Sequence, residues 1–133
     1  MAQRSEKVTF TGAQPKSRMA DFLAASDACV ATLQPIPMFA TTYPNKVFDY
    51  MAAGRPTLLA IDGVIRQVIE AANGGVFIPP GDGQALARQT LAWSTNPEGC
   101  QKMGKAARAY VALHFDRADQ AKDFVALVTS IGE

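Results

Sequence analysis

The segment Pro44-Asn45-Lys46-Val47-Phe48-Asp49-Tyr50-Met51-Ala52-Ala53-Gly54-Arg55-Pro56 concentrates residue types suited to holding a phosphorylated ligand. Pro44 fits the first turn of a helix and Gly54 its left-handed stop, so one short helix is expected between them. A helix start presents unpaired backbone N–H groups and the positive end of the helix dipole, and both favour a phosphate or pyrophosphate. Tyr43 leads into that start, Asn45 and Val47 bring amides, and Lys46 adds a cation. One turn later, Asp49 offers two acceptor oxygens for the hydroxyls of a ribose whose phosphates lie at the helix start. The same spacing leaves a plain alternative open: Pro44 merely starts a helix, Lys46 is solvated and Asp49 complements the dipole.

Other chemically able residues point to structure. His114, the single histidine, falls near a helix end beside Phe115 and Asp116 and suits a capping or surface role. Asp82 in Pro80-Gly81-Asp82-Gly83 reads as a turn and helix N-cap. Arg55 is expected below the sheet, complementing the dipole at the end of the Pro44 helix, and Trp93 as a core side chain. Cys29 and Cys100 match no CxxC spacing, so they are taken as core or surface thiols rather than a disulfide or zinc site. No catalytic residue and no metal ligand is assigned.

These residues need a scaffold, and four short runs supply candidate strands: Val8 to Gly12, Cys29 to Leu33, Pro56 to Ile61 and Gly75 to Pro80. Helical spacing intervenes in Met19, Phe22, Leu23, then Val47, Met51, then Val64 or Ile65, Val68, Ile69, Ala72. Strands alternating with helices predict an α/β layer sandwich with a mostly parallel sheet of about four strands, covered by helices on both faces. The strand-helix units occupy 7–80. C-terminal helices follow over 82–131, the last, starting near Asp116 and carrying Phe124, Val125 and Val128, serving as a cover or an arm. Ligands of such sheets bind at the carboxyl ends of the strands, where Gly12 ends the first run and the Pro44 helix follows the second.

With 133 residues the chain is a single domain, and 48% hydrophobic with 19% charged residues is an ordinary globular balance. The 13 Lys and Arg against 12 Asp and Glu leave a net charge of +1, which gives no global field for nucleic acid or an anionic membrane. An anion must therefore be held locally. No apolar run has the length of a membrane span, and Met1 to Lys7 does not read as a signal peptide, so a cytoplasmic location is expected.

The Pro44–Pro56 segment resembles the donor-site helix of family 4 glycosyltransferases, in which an acidic residue precedes an Ala-Met-Ala-x-Gly-x-Pro pattern; Asp49 falls on the acidic position. Val8-Thr9-Phe10-Thr11-Gly12, Met19 to Ala28, Gly74 to Asp82 and Met103 to Arg108 resemble further family segments in the same order. The resemblance implies a partial Rossmann-like fold, half of the donor lobe of a GT-B enzyme. It implies sugar transfer from a nucleotide donor, most readily a UDP-sugar, with retention at the anomeric carbon and without a divalent metal. By that resemblance Asp49 holds the ribose, while Tyr43, Pro44, Asn45, Lys46, Val47 and Gly12 surround the diphosphate. Thr41 and Gln67, the latter expected in the loop after the Pro56 strand, stand where the family commonly has Glu. The pattern looks like that of transferases building bacterial surface polysaccharides.

The resemblance also places the acceptor-binding lobe and the first donor-lobe strands outside this chain, so the fragment alone is expected to bind weakly and catalyse nothing. Uncovered sheet edge or apolar surface would favour self-association. The parent enzyme would be cytoplasmic, with room for a peripheral position at the inner membrane face. Two other readings remain: a nucleotide-sugar epimerase fragment, disfavoured by the lack of a Glu and His set for proton abstraction, and a non-catalytic interaction module on the same fold.

Overall fold

A computed structural model describes residues 7–132. After a 3-10 turn at Lys16–Arg18, the element order is α1 (Met19–Ala25), β1 (Cys29–Thr32), a 3-10 turn (Pro37–Thr41), α2 (Asn45–Ala52), β2 (Thr57–Ala60), α3 (Val64–Ala72), β3 (Gly75–Phe77), α4 (Gly83–Ser94), α5 (Pro97–His114) and α6 (Arg117–Ile131). The strands form one parallel sheet in the order β1-β2-β3, with Cys29 opposite Thr57 and Thr57 opposite Gly75. Two successive crossovers in one direction bring α2 and α3 down on the same face. Ala31, Leu59 and Ile61 meet Val47 and Met51 of α2, Ile65, Val68, Ile69 and Ala72 of α3, and Ala107 of α5 there. This is the main core.

The other face is thinner. Leu58, Ala60 and Ile78 are covered by Leu86 and Trp93 of α4, but that cover stops short of β1, where Val30 remains 46% exposed. The expected helical cover is thus complete on one face and partial on the other. Trp93 is half-buried at the margin of this second cluster rather than a full core residue.

The sheet has three strands, not four. The Val8–Gly12 run is irregular, with Val8 55% and Phe10 80% exposed. β-branched composition favours a strand only where a neighbour accepts and donates the ladder hydrogen bonds, and no such neighbour lies beside this run among the described residues. α1 likewise buries none of its side chains, although its spacing was helical.

Gly54 does stop α2. At a φ of 69° it allows its own N–H to reach the Met51 carbonyl (2.9 Å) and the Arg55 N–H to reach that of Tyr50 (3.0 Å), the pair of bonds of a Schellman motif. Close packing explains a second glycine: a Cβ on Gly104 of α5 would collide with the Gly54 carbonyl oxygen. That approach seats α5 against the end of α2. Farther on, the Asp116 carboxylate accepts from the Ala118 and Asp119 amides at 2.8 and 3.2 Å and starts α6. Among the described residues, no helix is long and apolar enough to cross a membrane.

Candidate functional site

The carboxyl ends of β1 and β2 open toward the start of α2. Pro44 occupies the N-cap, one position before the helical turn expected for it, and its carbonyl accepts from the Val47 N–H at 3.0 Å. No side chain caps this helix. The first amides of an α-helix have no intrahelical acceptor, so an uncapped start leaves them directed at whatever lies above the sheet.

The predicted residues separate by face. Asn45 and Asp49, a turn apart, lie on the exposed face of α2, and the Asp49 carboxylate has no hydrogen-bond or ion-pair partner among the described residues. Val47 points the other way and is fully buried in the core, with its N–H already committed to Pro44. It positions the helix and offers no free amide. Tyr43 is exposed and tilts against Phe48 with ring centroids 6.1 Å apart. Lys46 turns back to the sheet, where its Nζ donates to the Thr32 carbonyl at 3.1 Å. Its charge therefore sits at the exit of β1 instead of being freely solvated. Gly12, in the irregular run before α1, is not part of the sheet whose strand ends carry the others.

Sequence reasoning overlooked how the neighbouring loops are held. The Pro37–Thr41 turn packs so closely on the β2 exit that a Cβ on Gly63 would collide with Ala40, and Gly63 adopts a φ of 111°. Between these loops lies a cavity of about 250 Å³ lined by Gln34, Ile36, Phe39, Ala40, Asp62 and Pro80, among others. Asp62 of this lining pairs at 3.5 Å with Arg66, which also bonds Glu70 at 2.7 Å and stacks its guanidinium 3.9 Å from the Phe77 ring centroid. The bond to Glu70 is the chief cause that raises the Arg66 pKa. This cation is engaged locally, and the Asp62-x3-Arg66-x3-Glu70 spacing was its legible signal. Thr41 ends the turn with its hydroxyl on the Met38 carbonyl at 3.4 Å, while Gln67 is an exposed residue of α3, not of the preceding loop.

Asp82 accepts from the Ala85 amide at 2.8 Å and caps α4, as its turn sequence indicated. Arg55 departs from expectation: its Nη2 donates to the Ala24 carbonyl at 2.7 Å, so it satisfies the end of α1, not of α2. Cys29 and Cys100 are both buried free thiols, and burial raises both pKa values, opposed at Cys29 by the Arg55 charge. Burial also raises the Tyr50 pKa, with smaller contributions from Cys29 and Asp49. His114 ends α5 with its ring 4.3 Å from that of Tyr110. Among the described residues no group of three or more His, Cys, Asp or Glu is placed to hold a metal ion.

Residues 1–96 match the family model of the group 1 glycosyl transferases, a span that contains all three strands and the whole Pro44–Pro56 segment. The chain belongs to this family. Among solved structures, this glycosyl transferase chain is similar to sucrose-phosphate synthase from Thermosynechococcus elongatus, with a TM-score of 0.78 at 23% identity. The match covers 92% of the present chain and 30% of that one, which establishes a GT-B Rossmann-like fragment as the fold. No curated protein matches the sequence.

Proposed function

We propose that this glycosyl transferase chain forms the nucleotide-binding part of the donor site of a retaining enzyme with family 4 character, acting in bacterial surface polysaccharide synthesis. One observation carries the assignment: an unpartnered carboxylate, Asp49, stands one turn above an uncapped helix start at the carboxyl end of a parallel sheet. The free amides at the start of α2 would receive the diphosphate of a nucleotide-sugar, with a UDP-sugar as the favoured donor. Asp49 would accept hydrogen bonds from the ribose hydroxyls, and Asn45 on the same face would border it. Tyr43, Pro44 and Gly12 would line the approach. Lys46, fixed at the β1 exit, would contribute its charge from below.

As the bond to the sugar breaks, negative charge grows on the leaving diphosphate, where the helix dipole and Lys46 favour it. This device needs no divalent metal. The acceptor-binding lobe belongs to other residues of a longer protein in this reading, because the chain spans 30% of the sucrose-phosphate synthase it matches. Calorimetric titration with UDP, GDP and ADP in turn, without added metal, tests the site. Saturable binding of one nucleotide is expected, weakened in Asp49→Ala by about 1.5–3 kcal/mol for loss of a charged hydrogen bond. Equal affinity of the two proteins would remove Asp49 from the site.

A further inference from the structure

A larger cavity lies at the opposite, amino end of the strands, about 480 Å³ in volume, between the end of α2, the α4–α5 junction and the residues before β1. That volume is within the range of small-molecule sites. Its lining includes the cations Arg55, Lys105 and Arg108, one carboxylate, Asp27, and the indole of Trp93. Three positive charges against one negative is a concentrated excess in a chain whose total is +1.

The three cations differ in how they are held. Arg55 is anchored through Nη2 on the Ala24 carbonyl, while its buried Nε has no hydrogen-bond partner among the described residues. That Nε is sealed from solvent, so Arg55 offers a ligand in the cavity its guanidinium charge rather than this donor. Lys105 and Arg108, three residues apart, share one side of α5, and both are exposed without an ion-pair partner among the described residues. Gly104 fixes their distance from the cavity, since the close contact of α5 with Gly54 sets the position of this turn.

We propose that this cavity is a second ligand site, for the phosphate monoester of a small polyhydroxylated molecule. The phosphate sits among Arg55, Lys105 and Arg108, where charge-assisted hydrogen bonds are strongest. Asp27 repels a bare anion but accepts from a ligand hydroxyl, so it selects an ester that carries hydroxyl groups over a simple dianion. Trp93 forms the apolar wall. The site is separated from the start of α2 by the length of the sheet and stands independently of the donor-site reading.

Trp93 is the single tryptophan of the chain and reports on the cavity directly. Its fluorescence is titrated with glycerol phosphate, with inorganic phosphate, and with glycerol plus sodium chloride at matched ionic strength. Glycerol phosphate should give a saturable change at lower concentration than inorganic phosphate, and the glycerol and salt mixture should give none. In the double variant Lys105→Gln, Arg108→Gln the response should weaken at least about tenfold, as expected for lost charged hydrogen bonds, whereas Asp49→Ala should respond like the parent chain. Both substitutions lie on an exposed helix face and keep good helix formers, and unchanged thermal unfolding verifies the fold. An equal response to the salt mixture, a response that survives the double variant, or one abolished by Asp49→Ala would each overturn the proposal.

Discussion

Helices α3 and α6 both carry apolar residues at helical spacing, in a sharply one-sided stripe on α3 and a diffuse one on α6, and use them differently. Ile65, Val68, Ile69 and Ala72 of α3 are all buried, with Ile69 at 0% exposure, between the sheet and α5. Phe124, Val125, Val128 and Ile131 of α6 follow similar helical spacing, yet Phe124 is 67% and Ile131 77% exposed. Amphipathic spacing marks α3 as a helix that can pack, whereas α6 is helical without a well-defined apolar face. Burial then depends on whether a complementary surface is within reach, and the crossover that returns the chain to the sheet supplies one to α3 alone. The expected cover or arm at the C-terminus is therefore an arm, capped by Asp116 but not packed.

The contrast can be broken experimentally. Ile69→Ala removes side-chain volume from the main core and should destabilise the chain by about 2–5 kcal/mol in urea unfolding. A loss near zero would show that α3 contributes no more than α6. Gly104→Ala probes the contact that seats α5 over α3 and the sheet. The added Cβ meets backbone at Gly54, which cannot rotate away, so a loss of about 1–3 kcal/mol is expected despite the better helix propensity of alanine. Val125→Ala on α6 should change stability by no more than about 0.5 kcal/mol. A loss comparable with that of Ile69→Ala, especially one that grows with protein concentration, would sharpen the comparison by revealing a partner surface for α6.

The legible parts of the fold were those governed by local chemistry. The strands at Cys29, Thr57 and Gly75, the Gly54 stop, and the Asp82 and Asp116 caps follow from apolar runs, a residue free to adopt positive φ, and side-chain acceptors beside free amides. The Val8–Gly12 run had the same strand composition as the others but lacked a ladder partner, a condition that composition does not encode. The candidate site divides in the same way. Asn45 and Asp49 on one exposed face follow from helical spacing, whereas the Lys46 bond to Thr32 joins residues fourteen apart and depends on how α2 crosses the end of β1. Arg55 was placed at the wrong helix end because its acceptor, Ala24, is thirty-one residues away and adjacent only in the folded chain.

Sequence alone determined the alternation of strands and helices, the start and stop of α2, and the residue types available at the sheet's carboxyl end, because each depends on a few bonded neighbours. Tertiary structure alone decided that Val47 spends its side chain on the core, that Lys46 is tethered, that Asp49 is left unpartnered, and that three cations separated in sequence border one cavity. Those outcomes depend on the direction of each crossover and the approach of α5 to Gly54, long-range geometry that local residue preferences do not specify.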